Sequence, residues 1–232
     1  MNGEVAYIGV NTNVASNIMK PLLFTTFTFL TISSFGQKVL RKPVKVIPQI
    51  SIYNINGDTT NLKKVSDNKV TFIDFWFIPC GPCFVEMNML HKLYAKYKDN
   101  PNVAFLTITL TDSAFVRPLI ENRNTTTNDT YDYFKTLALL DTFKLPVYFL
   151  KDVASTMTSF KKEKIGFSGH GESKTKQINY SQYPDNIFGF SGYPTIFIFD
   201  KEGNRIYSKT GFTKNGEKKQ QKNIEVLINA KL

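Results

Sequence analysis

The sequence has few of the residues that cross-link small folds through disulfides or bind metals. Of its 232 residues, only two are cysteine, two are histidine and one is tryptophan. Two cysteines cannot form a disulfide framework, and a four-ligand zinc site is the weaker alternative, because only His91 and His170 could complete it. With 42% hydrophobic and 14% aromatic residues, the chain can bury a core without staples. The cysteine pair is therefore available for chemistry.

The sequence also lacks an apolar run long enough to cross a membrane. The apolar stretch of residues 22–32 is shorter than the ~20 residues that a membrane-spanning helix needs. Lys20 precedes it and two small residues, one residue apart, follow it, which is the pattern of a cleaved secretory signal. We therefore predict a signal peptide over residues 1–36 with its start at Met19, a membrane anchor being the alternative. The mature protein is expected in the periplasm or otherwise outside the cytoplasm, where disulfides persist.

A dense block of one charge is absent as well. The formal net charge is +10, but the basic residues are spread along the chain. Such a distribution is typical of a solvated surface, so we predict no nucleic-acid partner.

The order of apolar patterns predicts an α/β domain over residues 37–232. An Asn56-Gly57 turn between β-prone runs predicts an N-terminal hairpin. The runs KVTFIDFWF and NVAFLTITL are typical of strands buried on both faces, and apolar residues spaced three and four apart between them predict a helix. A strand, a helix and a strand of these lengths predict a crossover unit with parallel strands.

The second half of the chain adds further elements to this unit. Residues 114–143 contain helical stretches, and residues 145–150 read as a third strand. Residues 160–185 are polar without periodicity, which predicts an inserted loop that is either a spacer or a docking segment. A Gly203-Asn204 turn predicts a hairpin, and an amphipathic helix closes the chain.

Both cysteines lie between the first core strand and its helix. Cys80 and Cys83 are separated by Gly-Pro, and the loop that they would close is too short to restrict the unfolded chain strongly. The pair is therefore a poor structural staple and a reasonable redox couple.

At this point the sequence resembles the thioredoxin superfamily, and in particular the secreted TlpA/ResA-like thiol-disulfide oxidoreductases. The resemblance is carried by DFWFIPCGPC, by Glu86 three residues beyond Cys83, by SGYPTIFIFDKEGN and by the secretory leader. It covers about residues 70–211, and residues 160–185 remain unmatched. It implies a thioredoxin-like fold in which a central mixed sheet is flanked by helices, with the N-terminal hairpin and the inserted loop added.

The resemblance also implies roles for the two cysteines. At the start of a helix, Cys80 would be stabilised as a thiolate by unpaired backbone N–H groups and by the helix dipole, which makes it the nucleophile. Cys83, one turn further in, would be shielded and would resolve the mixed disulfide.

Two carboxylates match positions that line the dithiol in related proteins. Asp74 matches the buried aspartate that relays protons to the second cysteine in thioredoxins, and Glu86 matches the helix glutamate of ResA-like proteins. The alternatives are that Asp74 reaches solvent at the strand edge and that Glu86 is an ordinary exposed helix residue. Burial would raise the pKa of either carboxyl toward the range useful for proton transfer.

Four further residues are expected to bind the substrate. Pro194 resembles the family's cis-proline opposite the dithiol, and Tyr193 would offer its main chain to an extended substrate segment. A trans turn proline is the alternative. Pro79 stands at the position where the family commonly has a second tryptophan, so Trp76 is the single tryptophan of the chain. Both residues are expected at the substrate-binding surface.

Together these features predict an extracytoplasmic enzyme that reduces protein disulfides, with the Cys80–Cys83 pair as its redox centre and no added cofactor or metal. Its partners would be protein disulfides or thiols, and, by resemblance, a membrane electron donor; apocytochrome c is one candidate substrate. An oxidase or isomerase on the same fold and a non-catalytic binding module are the alternatives. A thiol peroxidase is less consistent with the sequence, because the peroxidatic Pro, Thr and Cys pattern is absent.

Overall fold

A computed structural model describes residues 42–122, 129–150 and 183–232. All of these lie in one compact unit, Val39–Leu232. The predicted signal peptide over residues 1–36, its start at Met19 and most of the predicted insertion at 160–185 fall outside the described residues. Within the described part, no helix combines the length and the apolar character that a membrane span requires.

Among the described residues, seven strands form one sheet. They are β1 (Ser51–Asn54), β2 (Thr59–Asn61), β3 (Val70–Trp76), β4 (Val103–Thr109), β5 (Val147–Leu150), β6 (Thr195–Phe199) and β7 (Arg205–Thr210). Their order is β2-β1-β5-β4-β3-β6-β7. The three central strands β5, β4 and β3 are parallel, and the strands on both sides pair antiparallel to them. The predicted α/β class with a central mixed sheet is therefore confirmed.

In the described ranges, six α-helices accompany the sheet. They are α1 (Leu62–Val65), α2 (Gly81–Tyr97), α3 (Ser113–Ile120), α4 (Asp129–Ala138), α5 (Pro184–Phe188) and α6 (Glu217–Asn229). α5 begins at Pro184, slightly earlier than the approximate end of the predicted inserted loop at residue 185. A proline at the first helical position supports this earlier start, because its fixed φ suits a helix and its missing N–H has no intrahelical partner there.

The unit β3-α2-β4 forms as predicted. Every residue of β3 and of β4 is buried, and the two strands pair in parallel from Val70 opposite Val103 to Trp76 opposite Thr109. β-Branched and aromatic side chains suit such strands, because both faces of the sheet are covered. The hairpins β1-β2 and β6-β7 and the closing helix α6 also form where the sequence predicts them.

The two faces of the sheet carry separate apolar clusters. Phe72 and Trp76 of β3 pack with the N-terminal half of α2, including both cysteines. Ile73 and Phe75 face the opposite cluster. Side chains alternate along a strand, so Asp74 lies on the same face as Phe72 and Trp76, beneath α2.

Candidate active site

The two cysteines form a disulfide at the N-terminus of α2, with their Cα atoms 5.3 Å apart. Cys80 is the N-cap residue, and its Sγ accepts a hydrogen bond from the backbone N–H of Cys83 at 3.3 Å. Pro82 lies in the first turn, where the missing N–H costs nothing. A sulfur at this position faces the unpaired N–H groups and the positive end of the helix dipole, which favour a thiolate once the disulfide is reduced.

The two cysteine residues differ in exposure. Cys80 keeps 6% of its surface exposed and Cys83 only 1%. An incoming thiol or disulfide therefore has access to Cys80 before Cys83, as a nucleophile and a resolving cysteine require.

Gly81 allows α4 to approach the dithiol. A Cβ placed on Gly81 would lie 2.9 Å from Oη of Tyr133, which is too close for an ordinary contact. The Tyr133 ring also packs edge-on against Phe84, with 5.5 Å between the ring centroids. The start of α2 is consequently covered on one side by α4.

The loop before β6 lies at the same end of the sheet as the dithiol. β3 pairs with β6 so that Phe75 is opposite Thr195, which places Pro194 beside the carboxyl end of β3. The rings of Phe77 and Tyr193 contact each other edge-on at 5.1 Å, so the loops after β3 and before β6 are in contact.

These features identify the fold. The dithiol lies at the start of the helix that joins two parallel central strands, and an antiparallel strand preceded by a proline lies alongside. The chain has a thioredoxin-like fold. Within it, the peptide between Tyr193 and Pro194 is cis, as the resemblance implies. The peptide between Ile78 and Pro79 is also cis, which the sequence did not predict.

Comparison with protein-family models and with curated proteins finds no match. Among solved structures, the chain is similar to the thioredoxin domain of a thiol-disulfide oxidoreductase from Bacteroides vulgatus, with 18% identity, a TM-score of 0.44 and coverage of 81% of this chain and 98% of that one. A thiol:disulfide interchange protein from Bacteroides sp. is similar at 18% identity with a TM-score of 0.44, and the match covers 82% of this chain and 91% of that one. A thiol-disulfide oxidoreductase from Bacteroides fragilis is similar at 18% identity with a TM-score of 0.42, and the match covers 78% of this chain and 99% of that one. The thioredoxin-like fold is evident from the chain's own topology.

Two carboxyl groups are buried on the elements that flank the dithiol, Asp74 on β3 and Glu86 on α2. Asp74 and Glu86 are each only 1% exposed. Burial raises the pKa of Asp74 to about 8, against the opposing effect of a hydrogen bond from the backbone of Phe75. Burial is also the main cause that raises the pKa of Glu86 well above its usual range, and the charge of Asp74 adds to it. The two alternatives from the sequence, a solvent-reaching Asp74 and an exposed Glu86, are therefore wrong.

A hydrogen-bonded chain links Glu86 to β7. Oε1 of Glu86 accepts a hydrogen bond from Nε2 of Gln220 at 3.1 Å, and Oε1 of Gln220 accepts one from Nζ of Lys209. Sequence reasoning missed both residues. A signal existed, because Gln220 lies four and eight residues before Ile224 and Ile228 on the buried side of α6. A polar residue on that apolar stripe needs a buried partner.

The predicted substrate-binding residues are placed differently from one another. Pro79 is exposed, Tyr193 is half-buried and Pro194 is buried. Trp76 requires a correction, because it is completely buried, with its ring 5.9 Å from that of Phe143. Its position in β3 turns the indole toward the core under α2, so it cannot contact a substrate there. The binding roles of the other three residues stay predictions.

His91 is a structural residue rather than a metal ligand in this fold. Its Nδ1 lies 2.7 Å from the carbonyl oxygen of Met87, and its Nε2 accepts the backbone N–H of Lys144 at 3.0 Å. Both ring nitrogens are thus engaged. His170 lies outside the described residues. Within the described ranges, no three His, Cys, Asp or Glu side chains form a cluster that could hold a metal ion.

Proposed function

We propose that this protein is an extracytoplasmic thiol-disulfide oxidoreductase that reduces protein disulfides. The observation that carries the proposal is the Cys80–Cys83 disulfide at the N-terminus of α2, on the sheet face that also buries Asp74. This arrangement combines an activated thiolate, a shielded second thiol and a nearby proton acceptor. Those are the three groups that a disulfide exchange through a mixed disulfide requires.

The reaction follows from the positions of the two sulfurs. In the reduced protein, the Cys80 thiolate attacks one sulfur of the substrate disulfide, so that a Cys80–substrate S–S bond forms and one substrate thiolate leaves. In molecules in which a buried carboxyl, Asp74 or Glu86, is ionised, Cys83 loses its proton to that carboxylate and attacks Sγ of Cys80; because burial raises both pKa values, this fraction grows as the pH rises. The Cys80–Cys83 bond then forms and the second substrate thiolate leaves. Two electrons pass to the substrate, whose two sulfurs take up protons.

The oxidised protein needs an external reductant before it can react again. By resemblance, a membrane reductase would supply the two electrons in the compartment outside the cytoplasm. The periplasmic or other extracytoplasmic location depends on the predicted signal peptide over residues 1–36. N-terminal sequencing of the mature protein tests that location: a chain that retains residues 22–32 contradicts signal cleavage.

The reduction potential tests the direction of the reaction. The protein would be equilibrated in glutathione or dithiothreitol buffers, its free thiols alkylated, and the alkylated fraction determined by mass. A reductase is expected near the value of thioredoxin, roughly −270 mV. A value near that of strong oxidants, roughly −120 mV, would instead assign disulfide formation.

Trapping the intermediate tests whether the protein is an enzyme at all. With a disulfide-containing protein as substrate, reduced Cys83→Ser should accumulate a mixed disulfide through Cys80, because the resolving thiol is missing. Cys80→Ser is the matched control and should accumulate none. Partner binding that persists in Cys80→Ser, without any mixed disulfide in Cys83→Ser, would favour a non-catalytic binding module.

A further inference from the structure

Gln220 is held from both sides in a buried position. It is only 4% exposed, and it bridges Glu86 of α2 and Lys209 of β7. A lysine ammonium can only donate hydrogen bonds, so the amide oxygen of Gln220 must face Lys209. The amide NH₂ must then face Glu86. The orientation of the amide is therefore set by the lysine.

This orientation determines which oxygen of Glu86 can carry a proton. Oε1 accepts from the Gln220 NH₂ and is occupied as an acceptor. Oε2 is buried and has no hydrogen-bond partner among the described residues. A proton on Glu86 consequently resides on Oε2. Glu86 follows Cys83 by three residues on α2, so the two side chains lie on neighbouring positions of one side of the helix.

We propose that Gln220 and Lys209 are positioning residues for disulfide exchange, which orient Glu86 so that Oε2 exchanges the proton of Cys83. This inference rests on the proposed function and adds two residues to its site. In the resolving step, the S–H bond of Cys83 breaks and its proton moves to the Glu86 carboxylate. The Cys83 thiolate then forms the bond to Sγ of Cys80 and the substrate thiolate leaves.

The charged and titratable groups around Glu86 set the direction of the expected effects. Asp74 on β3 raises the pKa of Glu86, whereas the hydrogen bond from Gln220 and the charge of Lys209 lower it. Tyr207 on β7 lies near the same group, because the charge of Glu86 contributes to its raised pKa. Removing the lysine should therefore let Glu86 keep its proton to a higher pH.

The experiment measures the rate at which Cys83 resolves a mixed disulfide as a function of pH. The probe is the mixed disulfide between Cys80 and glutathione, which forms transiently when reduced full-length protein is mixed rapidly with excess oxidised glutathione; its decay is followed by acid quenching and mass. Lys209→Met should move the midpoint of the pH profile upward, whereas Lys209→Arg should restore it. Lys219→Met is the matched control, because it removes one exposed positive charge from α6 and should leave the midpoint unchanged.

A second measurement separates positioning from a general loss of structure. In a Glu86→Gln background, Lys209→Met should produce no further shift, because the group on which it acts is gone. Carbon-13 NMR titration of the Glu86 carboxyl in oxidised Gln220→Leu should show proton loss at a higher pH than in the wild type. An unchanged midpoint in Lys209→Met, or equal shifts in the presence and absence of Glu86, would overturn the inference. If the wild type itself does not resolve the mixed disulfide, the proposed function fails instead.

Discussion

Replacing the buried carboxyl of Asp74 with an amide should stabilise the protein at neutral pH. In the unfolded chain an aspartate loses its proton at a pKa of about 3.9. In the folded protein, burial raises the pKa of Asp74 to about 8. The folded state therefore holds a proton that the unfolded state has released, and its stability falls as the pH rises between the two values.

The size of this effect follows from the two pKa values. Each unit of difference costs about 1.4 kcal/mol. At pH 7, folding is thus opposed by about 4 kcal/mol, which is a large part of the 5–15 kcal/mol that typically separates folded from unfolded domains. Asp74→Asn removes the titrating group. Its advantage over the wild type should be close to zero near pH 4 and should grow to about 4 kcal/mol at pH 7.

Urea unfolding of the oxidised protein at a series of pH values measures this difference. Trp76 is the only tryptophan and is fully buried, so its fluorescence reports unfolding directly. The exposed Asp67→Asn serves as the matched control and should follow the wild type at every pH. If the free energies of unfolding of Asp74→Asn and the wild type differ by the same amount from pH 4 to pH 8, the reasoning is refuted.

Two further predictions concern groups outside the dithiol. The pKa of His91 is lowered, mainly by burial, so the unfolded chain binds more protons there and stability should fall as the pH drops below about 6.5. His91→Gln should lack this part of the pH dependence. Urea unfolding midpoints at pH 7.5 and pH 5.5 measure it, and an equal change in midpoint between the two pH values in His91→Gln and the wild type would contradict the prediction. Asn122→Ala should cost about 2–3 kcal/mol, because Asn122 has a positive φ of 52° and its side chain pairs with both backbone groups of Phe143. Thermal or urea unfolding measures that loss, and a change below about 0.5 kcal/mol, typical of a surface substitution, would count against it.

The sequence predicts best those parts of the fold that depend on neighbouring residues. β3, α2 and β4 each have a continuous or periodic apolar pattern, and the dithiol lies where a strand ends and a helix begins. Asp74 stands out because a carboxylate interrupts an apolar strand. Its burial follows from that strand alone, without knowledge of the rest of the fold.

Features that depend on distant partners were harder to predict. Gln220 reaches Glu86 across 134 residues of sequence, so nothing local marks the pairing. Trp76 was expected to bind the substrate, but the alternation of side chains along β3 turns its indole into the core. Only Pro184 and Asp185 of α5 fell within the predicted loop, because the helix is five residues long and follows a polar segment.

The cover that α4 places over the start of α2 has a kinetic consequence. Tyr133 occupies the space beside Gly81, and Cys80 retains only a small exposed area. Under the proposed function, a donor and a substrate would both have to react at Cys80 and would therefore exclude each other. Steady-state turnover should therefore follow a ping-pong scheme, in which each partner leaves before the next one arrives.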